Sequence, residues 1–229
     1  MSERRAGERD SGESAATSGA RRGRPARLSR ERIVDAALEI VTGEGDRALT
    51  MRRVAEALGS APMSLYRHVG GKDELLILVL DRVVGELPRP ELPEDPRERL
   101  LALLTWQHDQ LAARPWIVDV LARGDLMAPS IVWLLEGIYD AWQACGLTLD
   151  QAATANRIAW GYTLGDLRQR AVAARPADRQ PYQVSVPAGV DPAAHPNLAA
   201  LREYWTAPDR RDRFADDLAV LVHALIAAA

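Results

Sequence analysis

Along this chain apolar residues recur at the three- and four-residue spacing of helices, and no segment alternates as a strand would. Ser29 is placed to cap a first helix running to about Thr42. Ile33, Ala36, Ala37, Ile40 and Val41 form its buried stripe, and Gly43 and Gly45 end it. Thr50 caps a second helix, behind which Met51, Val54, Ala55 and Leu58 fall at helical spacing. A fourth helix begins near Asp73, whose carboxylate and that of Glu74 suit a helix N-terminus. Its run Leu75–Leu80 is apolar all round, which predicts a helix covered on most sides and touching the chain on both sides of it.

Pro88, Pro90 and Pro93 mark a boundary, after which Asp95-Pro96-Arg97-Glu98 combines a cap, a first-turn proline and an acid as a helix start. That helix is expected to reach about Ala113 and stop at Pro115. A short helix, Trp116–Ala122, leads through Gly124 to Pro129. Ser130–Ala144 carries the stripe Trp133, Leu134, Ile138 and Trp142 and ends at Gly146. Thr148 and Gln151 form a capping box that opens a long helix to about Ala174. Arg175–Pro196 holds Pro176, Pro181, Pro187, Pro192 and Pro196 and shows no helical period, so a long, functional or mobile connection is expected there. Asn197–Trp205 reads as helical. Pro208 and Asp209 start a last helix with the stripe Phe214, Leu218, Leu221, Val222 and Leu225. The fold class is therefore all-α, without internal repeats.

The stretch that organises the chain is Thr50–Val69. Ala55 is small enough for a second helix to cross closely, Gly59 suits a left-handed turn, and Leu65 closes a miniature core. An ordinary helical hairpin would share that spacing. What distinguishes this one is a polar face of Arg52, Arg53, Ser64, Tyr66, Arg67 and His68, followed by Lys72. Such side chains contact phosphates and base edges, which makes this a DNA-reading helix-turn-helix.

The net charge of −3 would by itself speak against a nucleic-acid binder. Its distribution speaks for one: residues 21–72 hold 11 Lys and Arg against 6 Asp and Glu, whereas residues 73–229 hold 15 against 22. A basic head sits on an acidic body. Residues 1–20 have the composition of a disordered tail and lack the apolar centre of a signal peptide. Residues 21–27, RRGRPAR, form a basic arm whose Arg24 either enters a minor groove or adds only salt-dependent attraction. The lone Cys145 excludes an intrachain disulfide and agrees with a reducing cytoplasm. Runs as short as Leu75–Leu80 cannot span a bilayer, so no membrane partner is expected. The expected division is a tail over 1–20, arm and reader over 21–72, a linking helix and boundary over 73–93, and a ligand-binding and dimerisation body over 94–229.

Enzymatic chemistry finds little support. His68, His108, His195 and His223 lack metal-ligand spacing, and neither a phosphate loop nor a serine nucleophile elbow is present. His108-Asp109 is the one acid–base-like pair, but sequence neighbours point apart on a helix, which favours a solvated or core-satisfied histidine. All six tryptophans lie after residue 100. Such stripes are more often core than pocket, yet with a few polar groups they can also edge an apolar ligand cavity. Trp106, His108, Trp116, Trp133, Tyr139, Asn156 and Trp160 are the candidate ligand contacts, with the proline-rich segment as a gate.

Residues 28–76 resemble the DNA-binding domain of the TetR-type transcriptional regulators over its full length, including the ending LYRHV…K. The C-terminal part is more loosely similar to the tetracycline-repressor-like regulatory domain, through RPW, ACGLT, WGYTLG, HPNL and RFADDLAVLVHAL. The resemblance implies a homodimeric repressor that binds a palindromic operator and is released by a small apolar or amphipathic effector. On matching positions it implies that Thr50 and Arg52 open the first reader helix. Pro62, Met63 and Ser64 begin the recognition helix, Tyr66 and His68 touch phosphate or thymine methyls, and Lys72 holds a phosphate. Pro62, Met63 and Arg67 depart from the tetracycline repressors themselves, so the operator differs. No equivalent of their magnesium-holding histidine is evident, and no cofactor or metal is expected. The implied dimer pairs the long helix, through Ile158, and the last helix, through Leu218, Leu221, Val222 and Leu225, with their copies.

Overall fold

In the computed structural model the described residues are 28–122, 126–173, 182–206 and 213–229, and every regular element among them is helical. The tail, the arm with Arg24, Gly124, and the expected helix start at Pro208-Asp209 lie outside them. Ser29 caps α1 (Arg30–Glu44), its side chain accepting from the Arg32 amide at 3.3 Å. Gly43 lies inside this helix rather than ending it, and the stop comes at Gly45, where φ is +84°. Thr50 Oγ1 accepts from the Arg53 amide at 3.0 Å and opens α2 (Met51–Ala57). Gly59 comes next at φ +59°, and Pro62 occupies the first turn of α3 (Pro62–Leu65).

α4 (Lys72–Gly85) buries Leu75, Leu76, Val79, Leu80 and Val83. Asp95 accepts from the Arg97 and Glu98 amides to start α5 (Pro96–Ala112), and α6 (Pro115–Leu121) comes directly after it. A 3-10 turn at Pro129–Ile131 leads into α7 (Val132–Ala144). The Thr148–Gln151 box forms in both directions, at 2.8 Å and 3.3 Å, and opens α8 (Leu149–Ala173). The proline-rich stretch is not wholly irregular: α9 (Tyr182–Ala188) is helical. Pro187 lies inside it and has no amide to donate to the carbonyl four residues earlier. The expected Asn197–Trp205 helix divides into α10 (Pro196–Ala200) and α11 (Arg202–Thr206). The last helix, α12, spans Phe214–Ala227.

Two apolar cores result. The first joins α1 to α4 with Leu111, Trp116, Ile117, Val118, Val120, Ala128 and Leu167, so the small reader shares its interior with α6 and the far half of α8. The second lies among α5, α7, the first half of α8, and α12, with Leu103, Leu134, Ile138, Trp142, Phe214, Leu218 and Val222 at its centre. The face of α12 assigned to dimerisation is thereby corrected. Leu218 and Val222 are fully buried within the single chain and have no surface left for a partner copy.

At Gly59 nothing lies within 4 Å of an added Cβ, so only the backbone conformation resists substitution. Gly59→Ala is therefore expected to destabilise the protein by about 1–2 kcal/mol, the cost of a left-handed alanine. Chemical denaturation followed by circular dichroism measures it.

Candidate nucleic-acid interface

The reader is a rigid wedge because its hidden side is apolar. Val54, Ala55 and Leu65 are at most 1% exposed, and the Ser60 amide donates to the Ala55 carbonyl at 2.9 Å, locking the turn against α2. With that side fixed, geometry sends the remaining residues outward. The Arg52 side chain is 85% exposed, Met63 75% and Tyr66 48%. Pro62 and Arg67 are exposed, and Ser64 and His68 are half-buried. The structure thus leaves these reader residues at least partly accessible around the turn.

Acidic partners, which sequence alone did not single out, sort these cations into different tasks. Arg53 pairs with Glu44 at the end of α1, and that hydrogen bond raises its already high pKa. Arg52 pairs with Glu56 one turn on, at 2.9 Å, a bond that a phosphate or base edge can replace. Lys72 is half-buried and donates to the Asp46 carbonyl at 3.0 Å. An ammonium has three protons, so this anchor leaves donors for a second acceptor. Glu74 accepts from the Gly70 amide and pairs with Arg30, pinning the loop after α3 to α1. Thr50 accepts an amide as cap but keeps its own O–H to donate.

In the body the candidate ligand contacts do not form one constellation. Trp106 and Trp133 meet edge-to-face at 5.3 Å, and the Arg89 guanidinium lies 4.7 Å over the Trp133 ring. Tyr139 packs on the same second core, whereas Trp116 and Trp160 belong to the first. Asn156 is half-buried on α8. His108 sits in a network of its own. Its Nε2 meets Asp166 Oδ2 at 2.8 Å, its Nδ1 meets Asp109 Oδ1 at 3.0 Å, and its ring stacks on Phe214 at 3.6 Å. Contrary to the expectation that neighbours point apart, Asp109 folds back onto it; the core-satisfied alternative is the one realised. Arg170 donates to the same Asp166 oxygen at 2.6 Å, an i,i+4 pair readable from the sequence but not picked out there.

Burial, with Asp217 and Asp166 nearby, pushes the Tyr162 phenol up to about 12. Burial likewise raises the Cys145 thiol, which disfavours a reactive thiolate. Among the described residues one polar atom stands out: the indole N–H of Trp142 is buried and meets no acceptor there. A cleft of about 340 Å³ opens beside the first core, lined by Leu38, Thr42, Val83 and the segment from Ala113 to Trp116.

A basic-faced helix-turn-helix fused through a shared core to an acidic helical body is the architecture of a DNA-binding transcriptional regulator. The comparisons name its family. A family model described as bacterial regulatory proteins, tetR family, matches residues 33–79. A second, the tetracyclin repressor-like C-terminal domain, matches residues 89–228. The chain belongs to the TetR family, whose members are DNA-binding transcription factors rather than enzymes.

It is similar to the HTH-type transcriptional repressor DrrR1 of Streptomyces coeruleorubidus, 36% identical over 152 residues, covering 65% of this chain and 56% of that one. It is also similar to an HTH-type transcriptional regulator of Saccharopolyspora erythraea, 31% identical over 63% of this chain and 62% of that one. The matches thus span less than two thirds of those relatives' lengths. Among solved structures, Streptomyces coelicolor ActR in complex with actinorhodin superposes with a TM-score of 0.74. It is 27% identical, over 89% of this chain and 98% of that one.

Two substitutions separate the roles of the cations. Arg52→Ala is expected to leave folding stability within about 0.5 kcal/mol, because its ion pair is exposed, and to weaken binding to a selected duplex by roughly 1–3 kcal/mol where it meets a base edge. Lys72→Ala is expected to weaken binding to all duplexes and flatten the salt dependence by about one counterion. Fluorescence anisotropy across a salt series reads both.

Proposed function

We propose that this protein is a transcriptional repressor that binds a palindromic operator as a homodimer and is released by a small apolar or amphipathic effector. The observation that carries it is the joining of the exposed reader face to α6 and α8 through one apolar core, so that a change in the body is felt at the recognition turn. The repressor DrrR1 and the ligand-bound ActR support the two halves of the proposal. DNA contacts are assigned to Thr50, Arg52, Arg53, Ser64, Tyr66, Arg67, His68 and Lys72, with Pro62 and Met63 at the head of the recognition turn. Among the described residues no helix is long and apolar enough to cross a membrane. As a DNA-binding regulator the protein acts in the cytoplasm, where its operator lies.

For the effector, the second core offers aromatic walls at Trp106, Trp133 and Tyr139 and a donor in need of a partner at Trp142. An unmet buried donor costs about 1–3 kcal/mol, which an effector carrying a carbonyl or ether acceptor would recover. Effector and operator must then oppose each other reciprocally, typically by 1–3 kcal/mol, or about 5–150-fold. A ligand found by tryptophan quenching and titrated with and without operator should bind more weakly with operator present, by the factor it imposes on DNA. Equal affinities would rule out induction.

For assembly, the exposed apolar residues Ile158 on α8 and Val220 on α12, with half-buried Leu221 and Leu225, form the proposed dimer face. Pairing them would set two readers about one DNA turn apart, roughly 34–36 Å. Val220 is 70% exposed, so Val220→Asp is expected to leave the chain folded yet monomeric by sedimentation. A folded variant that stays dimeric at low concentration would move the interface elsewhere.

A further inference from the structure

Among the residues of the reader, Met63 is the one whose placement its own fold does not explain. With 75% of its surface exposed on α3, it belongs to neither apolar core. Its neighbours along α3 and the residues just after it, Ser64, Tyr66 and Arg67, are polar or charged, apart from Pro62, which has no amide hydrogen to offer. A thioether is a weak acceptor and no donor, so Met63 cannot read a hydrogen-bond pattern. What the major groove offers such a side chain is the C5 methyl of thymine, the apolar group on the edges of its base pairs.

Building on the DNA-binding function proposed above, we infer that Met63 is a specificity-determining residue that reads a thymine methyl in each operator half-site. The polar ring around it closes the contact to water while making its own bonds to phosphates and base edges, so the methyl and the thioether are buried against each other. Position 63 therefore selects T·A at one symmetric pair of positions. The selection is made by apolar burial, which is insensitive to salt, unlike the phosphate contacts.

The test starts from an operator selected from random duplexes by the full-length protein. Each thymine is then replaced in turn by deoxyuridine, which removes only the methyl group. At one symmetric pair of thymines the wild-type protein is expected to lose about four-fold in affinity per methyl, or about 15-fold for both half-sites. Met63→Ala and Met63→Gln should bind the thymine and uracil duplexes alike at that pair and keep the wild-type salt slope. Because the side chain is exposed, both variants should also keep the wild-type melting temperature. If no thymine is sensitive, or if the variants remain as sensitive as the wild type, the methyl contact is overturned while DNA binding stands. If no duplex is selected at all, the proposed function fails and the methyl contact with it.

Discussion

Leu75, Leu76, Val79 and Leu80 on α4 are each at most 2% exposed, and a single helix cannot hide so wide an apolar surface against one neighbour. α1 covers one flank and the 3-10 turn at Pro129–Ile131 another, while Trp116, Ile117 and Val118 of α6 continue the same core. Burial of such side chains is worth roughly 1.5–3 kcal/mol each, so prising the reader from the body would expose more than a marginally stable protein can lose. Any change passed between them must slide packed helices rather than open a gap. The polar contacts along this seam set direction more than strength. Arg82 meets Asp35 on α1 at 3.0 Å, and the Ser130 amide donates to Asp81 at 2.7 Å, so α4 is keyed to both sides at defined points.

The electrostatics of the reader are less simple than its excess of basic residues. Arg53, Lys72 and Arg30 are tied to Glu44, to the Asp46 carbonyl and to Glu74, so these cations also brace the reader. Arg52, Arg67, Tyr66 and Met63 stand out from it as exposed side chains. Anchoring some cations from behind preorganises the others, which reduces the side-chain ordering that binding would otherwise cost.

In the body, His108 joins α5 to α8 through Asp166 and to α12 through Phe214, on which Tyr162 also stacks at 5.4 Å. A polar network with its partners in place fixes the mutual register of three helices more sharply than aliphatic contacts do. Two of those helices, α8 and α12, also carry the proposed dimer face, and all three line the second core.

Much of this molecule was legible in the one-dimensional pattern because helices are local objects. The stripe Ile33, Ala36, Ala37, Ile40 and Val41, the caps at Ser29, Thr50 and Asp95, and the reciprocal Thr148–Gln151 box all depend on neighbours within four residues. The Ala55, Gly59 and Leu65 signature of the reader reaches further, over residues 55–65, but stays within one helical hairpin. What stayed hidden required partners distant in sequence. The stripe of α12 was visible, but whether Leu218 and Val222 face a partner copy or the chain's own α5 and α8 depends on how helices pack, which periodicity does not encode. His108 showed its neighbour Asp109 but not Asp166, 58 residues away, and the tryptophans showed their number but not their division between two cores. Local hydrogen bonding and spacing determined the elements and the class of protein. The assignment of each side chain to scaffold, surface or site was decided by tertiary burial, because burial is a property of the whole packed chain.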